Sequence, residues 1–307
     1  MRCTIATALL CTLPGARAGV SKHVMAWRGL IRPELIVPDI RPAIISVLKE
    51  PSSCVPDGAV TLSVINKHHA RMRADQFALM KDQPCFMNRM VSVCYNVTDT
   101  FGTCVHSLFA IPPSDFRRSN YANLIWAKWR IIADALQVAR VAMWVDADVL
   151  LLRNPWTGID AASAVAYDIR YQSETRCGER ECDALRSSCS TLNGGQLLVS
   201  SRQLAERIYK LRPQNLTNTA DLDQDLADEV IRGNGTSVSY CPLPGSYFAQ
   251  CWLIKKASRD ERRSGRTSAP MLPLCERLTH HYNCVTSRKG KAEEMKGMLR
   301  EWKKRCS

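Results

Sequence analysis

The stretch that decides the fold is Val141-Ala-Met-Trp-Val145, which runs directly into Asp146-Ala-Asp148. Five consecutive apolar residues predict a strand that is buried on both faces. Ligands of open α/β sheets bind at the carboxyl ends of such strands, where the two carboxylates would lie. Neighbouring carboxylates repel each other unless a cation neutralises them, and Mn²⁺ and Mg²⁺ accept carboxylate oxygens. The segment therefore predicts a divalent metal site, with exposed aspartates on a turn as the alternative.

Strands and helices alternate on both sides of this segment. Runs rich in β-branched and other apolar residues predict further strands over residues 60–65, 90–95, 163–167 and 196–200. Helical spacing and capping residues predict helices over residues 68–81, from Ser114 or Ser119 to about residue 137, and over 223–232 and 287–305. This alternation predicts an α/β fold.

The chain divides into three predicted parts. Residues 1–18 combine a basic residue, a short apolar stretch and small residues around Ala18, as secretory signal peptides do. Residues 19–57 are rich in proline and predict an irregular stem or wrapping segment. Residues 58–307 form the predicted α/β domain.

Cysteines and glycosylation sites favour an oxidising compartment. The chain has 14 cysteines, and loss of Cys3 and Cys11 with the signal peptide would leave an even number for disulfide bonds. N-glycosylation sequons begin at Asn96, Asn215 and Asn234. No Cys-x-x-Cys pair of the kind that binds zinc is present. We therefore expect a disulfide-bonded glycoprotein in the lumen of the Golgi or endoplasmic reticulum, or secreted.

The net charge of +13 restricts the partners. Three explanations of this charge compete: binding of anionic substrates such as nucleotide diphosphates, binding of acidic polysaccharides, and solubility alone. The lumenal features and the absence of a recognised module disfavour nucleic acid. The sequence has no run of about 18 apolar residues, so it does not predict a conventional membrane span.

Five motifs, in order along the chain, resemble those of nucleotide-diphospho-sugar transferases of glycosyltransferase family 77. They are Trp126-Ala-Lys128, Asp146-Ala-Asp148, Asn193-Gly-Gly195, Asp223-Gln224, and His281-Tyr-Asn283 with Lys291 beyond it. The resemblance extends over about residues 58–305. It implies a GT-A fold, a Rossmann-like mixed sheet flanked by helices. Gly194 departs from the family, which usually has serine at this place.

The resemblance implies a role for each motif residue. Asp146, Asp148 and His281 would hold Mn²⁺ or Mg²⁺. Lys128, Asn193, Gly194, Gly195 and Lys291 would bind the donor. Asp223 and Gln224 would line the sugar pocket and, with Asp146 and Asp148, form the catalytic set.

Each of these residues also allows a simpler interpretation. Lys128 lies within an apolar helical stripe, so its ammonium must either reach past that stripe to solvent or meet an anion. His280 competes with His281 as a ligand, and either histidine can be purely structural. The others have the following alternatives: a turn before a strand for Asn193-Gly-Gly195, a helix cap for Asp223, and one charge of a basic helix for Lys291.

These features predict a metal-dependent glycosyltransferase that moves a sugar from a nucleotide diphosphate, with a UDP-sugar as the expected donor, to a glycan or glycoprotein. The resemblance implies that the anomeric configuration is retained. One alternative is a non-catalytic nucleotide-sugar or glycan-binding protein that kept the fold. The other is a haloacid-dehalogenase-like phosphatase, which also places Asp-x-Asp after an apolar strand, although about 145 residues precede the pair here.

Overall fold

A computed structural model describes twelve parts of the chain, and the side chains of residues 119–124 and 288 are outside the description. The described parts are residues 37–66, 80, 83–95, 97, 103–107, 119–173, 192–212, 223–233, 237–244, 247–250, 273–283 and 288–306. The predicted signal peptide, the asparagines of the three sequons and nearly all of the predicted helix over 68–81 lie outside these residues.

The described residues form ten strands and seven α-helices. The strands are β1 (Ala59–Asn66), β2 (Met90–Tyr95), β3 (Thr103–His106), β4 (Val141–Val145), β5 (Val149–Leu151), β6 (Ile169–Ser173), β7 (Leu192–Val199), β8 (Tyr240–Pro242), β9 (Phe248–Gln250) and β10 (Thr279–His281). The α-helices are α1 (Arg41–Lys49), α2 (Pro84–Met87), α3 (Ser119–Ala135), α4 (Ala161–Val165), α5 (Arg202–Lys210), α6 (Asp223–Arg232) and α7 (Arg288–Cys306). Two short 3₁₀ helices are Pro155–Gly158 and Leu274–Glu276.

The main sheet has seven strands in the order β3-β2-β1-β4-β7-β6-β8. Strands β1 to β4 run parallel to one another, β7 is antiparallel to β4 and β6, and β8 is parallel to β6. Strand β7 is thus the reversed member of a mixed sheet. The predicted α/β fold, a mixed sheet flanked by helices, is confirmed.

A second sheet lies beside the carboxyl end of β4. It has the order β5-β10-β9, with β5 antiparallel and β9 parallel to β10. Residues 146–148 connect β4 of the main sheet to β5 of the small one. The two aspartates therefore stand where the two sheets meet.

Apolar side chains cover both faces of the main sheet. On one face, residues of α1, α3, α5 and α6 pack against alternate residues of the strands, and Trp126 and Trp129 of α3 are completely buried there. On the opposite face, Phe86 and Trp156 pack with residues of β5 and β9. Burying strand β4 on both faces is what its apolar sequence requires.

Two secondary-structure predictions are wrong. Residues 163–167 were expected to form a strand, but Asp160 accepts a hydrogen bond from the backbone N–H of Ser163 (2.9 Å) and caps the short helix α4 instead. The strand of this region, β6, begins at Ile169. Residues 19–57 were expected to be irregular, but α1 lies within them and its Ile44 is completely buried in the main core.

The other predicted elements that lie in the described residues agree with the structure. Strands β1, β2 and β4 and helices α6 and α7 lie within one or two residues of their expected bounds. Helix α3 includes Ser119, the later of the two proposed starts, and ends at Ala135. Strand β7 is longer than expected because it begins at Leu192.

Disulfide bonds connect several elements of the described chain. They link Cys54 to Cys85, Cys94 to Cys104, and Cys275 to Cys306 at the end of α7, and Cys241 is also disulfide-bonded. Such bonds are typical of proteins that fold in an oxidising compartment. None of the helices in the described residues combines the length and the apolar character that a membrane span requires.

Candidate functional site

The site is built on the turn that follows β4. The N–H of Asp146 donates to the carbonyl of Gly195 on β7 (2.8 Å), and the N–H of Val149 donates to the carbonyl of Asp146 (3.1 Å). The indole N–H of Trp144 donates to Oδ1 of Asp146 (2.6 Å). These bonds fix both the backbone of the turn and the orientation of the first carboxylate.

His281 completes a group of three metal-binding side chains. One ligand atom from each of Asp146, Asp148 and His281 lies within 4.8 Å of the others. Nε2 of His281 is 3.4 Å from Oδ1 of Asp148. His280 is also buried, but it packs against the ring of Tyr282 (centroid distance 4.7 Å) and does not belong to this group. Of the two adjacent histidines, His281 therefore faces the aspartates.

The donor set suits the predicted ions. Two carboxylates and one imidazole offer oxygen and nitrogen ligands, and an oxygen-rich set of this kind suits Mn²⁺, while Mg²⁺ prefers the oxygens alone. The site thus has the ligand types for either ion. It also has room for further ligands, because three protein groups do not complete an octahedral shell.

Lys291 of α7 reaches the same group. Its ammonium forms an ion pair with Oδ2 of Asp148. Burial alone would raise the pKa of Asp148, but its surroundings, above all the charge of Lys291, outweigh burial and hold this pKa well below its usual range. The structure thus places Lys291 of the basic helix in direct contact with one of the candidate metal ligands.

The two aspartates differ in their electrostatic environment. Burial raises the pKa of Asp146, the charge of Lys128 opposes this effect, and the neighbouring Asp148 adds to it, so that the net direction is upward. A cation between the two carboxylates would offset the cost of burying their charges and the repulsion between them.

Lys128 is buried instead of reaching solvent. Its ammonium donates to the carbonyl of Gly194 (3.1 Å) and forms an ion pair with Oδ2 of Asp223 (2.7 Å). Trp129 donates its indole N–H to the same oxygen (2.8 Å). Burial opposes the charged form, but Asp223, Asp146 and Asp148 outweigh it and raise the pKa of Lys128. The anion that this lysine meets is thus a carboxylate of the protein.

The segment around Gly194 is more than a plain turn before a strand. Pairing between β6 and β7 shifts here: Tyr171 lies opposite Leu197, whereas the next residue, Gln172, lies opposite Asn193. Residues 194–196 therefore bulge relative to β6. Oδ1 of Asn193 accepts from the N–H of Gly195 (3.0 Å), which stabilises the bulge.

Both glycines lie close to side chains of the site. A Cβ atom on Gly194 would lie 2.6 Å from the ammonium nitrogen of Lys128. A Cβ atom on Gly195 would lie 2.2 Å from Cε1 of His281. The glycine at position 194, where the resembling family has serine, thus leaves space for the ion pair. The N–H of Gly194 also lies 3.5 Å from Oε1 of Gln224, at the limit of a hydrogen bond.

We expect Gly195→Ala to lower the free energy of unfolding by about 1–3 kcal/mol, because the added methyl group overpacks the buried His281 ring. The matched control is Gly297→Ala in α7, where a Cβ meets nothing within 4 Å. This change should raise the free energy of unfolding by about 0.5–1 kcal/mol, since alanine is the better helix former. Urea unfolding of both variants measures the difference, and equal effects would contradict the close contact.

All the residues predicted for the site lie in one connected network of hydrogen bonds, ion pairs and close contacts. The sequence did not identify three residues that orient them, namely Trp129, Trp144 and Gln172. The two tryptophans carry a weak signal, because a buried indole N–H needs a hydrogen-bond acceptor. Asp146 lies two residues after Trp144, whereas Asp223 is close to Trp129 only in the fold. Gln172 carries none, since an isolated glutamine in a strand has many possible partners.

Comparisons with known proteins complete the description. No family model matches the sequence, and no curated protein matches it. Among solved structures, the chain is similar to a glycosyltransferase involved in glycosylation of the major capsid of PBCV-1, with 15% identity and a TM-score of 0.48 over 78% of this chain and 98% of the other. It is also similar to the galactosyltransferase LgtC, with 13% identity and a TM-score of 0.45 over 79% and 98% of the two chains. A third similar structure is mouse xyloside xylosyltransferase 1, with 11% identity and a TM-score of 0.39 over 75% and 99%.

Proposed function

We propose that the protein is a metal-dependent glycosyltransferase that takes a sugar from a nucleotide diphosphate donor. The observation that carries this proposal is the group of Asp146, Asp148 and His281 at the carboxyl end of a buried strand, with the ammonium groups of Lys128 and Lys291 beside it. Two carboxylates, one imidazole and two ammonium groups suit a cation together with a polyanionic ligand.

Asp146, Asp148 and His281 would hold Mn²⁺ or Mg²⁺, which when bound would neutralise charge on the diphosphate. Lys291 would add positive charge on the side of Asp148. Lys128 would do the same on the side of Gly194, where Asp223 holds its ammonium. Because each ammonium is paired with a carboxylate of the chain, the positive charge beside a leaving diphosphate would come from the two lysines together with the bound cation.

The sugar would lie on the other side of the glycine bulge. Asp223 and Gln224 begin helix α6 next to Gly194, and Asn193 closes the bulge. We propose these residues, with Gly194 and Gly195, as the lining of the sugar pocket, where the carboxylate of Asp223 would stabilise positive charge at the anomeric carbon. Retention of the anomeric configuration and a UDP-sugar donor belong to the same proposal, and so does a glycan or glycoprotein acceptor.

We further propose that the protein acts in the secretory pathway, in the Golgi or endoplasmic reticulum lumen or after secretion. The disulfide bonds between described cysteines support an oxidising compartment. The proposed arrangement is a signal peptide over residues 1–18, a wrapping segment over 19–57 whose helix α1 packs against the core, and the transferase domain over 58–307, with N-glycosylation at the sequons.

Calorimetric titration of the disulfide-bonded protein with UDP-sugars and GDP-sugars tests the proposal. We expect one nucleotide class to bind in the presence of Mn²⁺ or Mg²⁺ and to lose measurable binding in EDTA. A radiolabelled sugar then reports transfer or slow hydrolysis of the donor that binds. Binding without turnover would favour a non-catalytic binding protein, and absence of binding with every donor and metal would refute the proposed function.

A further inference from the structure

Gln172 links the candidate metal ligand His281 to a neighbouring strand. Its Oε1 lies 2.8 Å from Nδ1 of His281, and both residues are almost completely buried, with 2% and 4% of their surfaces exposed. The contact crosses between the two sheets, because Gln172 belongs to β6 and His281 to β10.

The amide of Gln172 can take only one orientation. Its Nε2 donates to the carbonyls of Phe248 (3.0 Å) and Ala249 (3.3 Å) on β9. Rotating the amide by half a turn would place its oxygen against these two carbonyl oxygens in a buried place, which costs free energy. The oxygen of Gln172 must therefore face His281.

This orientation decides which nitrogen of the His281 ring carries the proton. An amide oxygen only accepts hydrogen bonds, so Nδ1 of His281 must be the donor. In a neutral ring, Nε2 is then unprotonated, and Nε2 is the nitrogen that lies 3.4 Å from Asp148. Groups that hold the far nitrogen of a ligating histidine in this way orient the ring and select its tautomer.

We infer that Gln172 is a positioning residue that holds His281 in the Nδ1–H tautomer, with Nε2 presented to the cation between Asp146 and Asp148. The inference rests on the proposed function insofar as that function requires the cation. The shift in pairing between β6 and β7 occurs at this same residue, and bulges often lie beside functional sites.

A double-mutant cycle tests this inference. Affinity for Mn²⁺ alone is measured from the free-ion signal in electron paramagnetic resonance for wild type, Gln172→Met, His281→Ala and the double variant. We expect Gln172→Met to weaken Mn²⁺ binding about tenfold. It should cause no further loss when His281 is already absent, because Gln172 acts through that ring.

Gln250→Met is the matched control. Gln250 is an equally buried amide on β9 that donates to the carbonyl of Ser173 and accepts from Asn283, both of them groups other than the His281 ring. Its replacement should cost stability in urea unfolding and leave Mn²⁺ affinity unchanged. ¹⁵N NMR of the neutral ring in the metal-free protein adds a direct reading: Nδ1 of His281 should be protonated in wild type, and this preference should be lost in Gln172→Met.

The possible results separate the two proposals. Wild-type protein that binds neither Mn²⁺ nor Mg²⁺ would refute the metal site and hence the proposed function. Wild-type binding that Gln172→Met leaves unchanged, or weakens equally with and without His281, would overturn the role of Gln172. An Nε2–H tautomer in the wild-type ring would overturn it as well.

Discussion

Asp148→Asn is expected to weaken metal-dependent donor binding by at least about 100-fold, because even groups that only support a metal ligand contribute about 10–100-fold. Asp148 is the group on which the site converges: Oδ1 lies near Nε2 of His281, and Oδ2 pairs with Lys291. Asparagine keeps the size of the side chain but removes its charge. The measurement is calorimetric titration of Mn²⁺ and the best-binding nucleotide sugar into both proteins.

Asp160→Asn supplies the same chemical change at a distance from the site. Asp160 is exposed and caps α4, and asparagine is an equally good N-cap, so this variant should bind and unfold as wild type does. Circular dichroism must show that Asp148→Asn is folded. If folded Asp148→Asn retained wild-type binding in Mn²⁺, the cation would not be held by this carboxylate.

The parts of the fold that the sequence predicted well have local causes. Strand β4 and the turn after it follow from five apolar residues and two aspartates, without any knowledge of distant contacts. The assembly of the site from five separate segments could not be obtained from periodicity. It followed from the order of the motifs in the resembling family, and the structure brings these segments together.

The predictions that are wrong had weak local signals. Residues 163–167 contain alanine, valine and tyrosine, which suit a short strand, but the side chain of Asp160 decides for a helix by satisfying a free backbone N–H. Helix α1 was missed because Pro42 suggested irregular chain. In the first turn of a helix, however, the missing N–H of proline costs nothing.

Gln172 could not be predicted for a different reason. Its importance depends on two carbonyl groups of β9 and on a histidine 109 positions away. None of these is encoded near residue 172. The partner of Lys128 is a similar case, because the sequence required an anion near its ammonium but left open whether protein or ligand supplies it.

The buried pair of Lys128 and Asp223 leads to the second large effect. The two side chains are only 4% and 6% exposed, and Oδ2 of Asp223 also accepts from the indole of Trp129. Removing one partner of such a pair leaves an uncompensated charge in the interior. We therefore expect Lys128→Met and Asp223→Asn each to lower the free energy of unfolding by about 3–5 kcal/mol. Urea unfolding of the two single variants measures these losses.

The double variant should be much less destabilised than the sum of the two single variants, since it buries no charge and the neutral amide that replaces the carboxylate needs no cation. A coupling free energy of about 2–3 kcal/mol from urea unfolding would show that each residue is needed mainly by the other. If the losses of the two single variants added up in the double variant, the two charges would be stabilised by other groups. Lys128 could then contact a bound diphosphate without losing stabilisation from Asp223. Donor titration of the folded double variant separates the structural role of Lys128 from its proposed role in binding the diphosphate. A double variant that regains stability should still bind the donor more weakly than wild type, because it lacks the ammonium of Lys128.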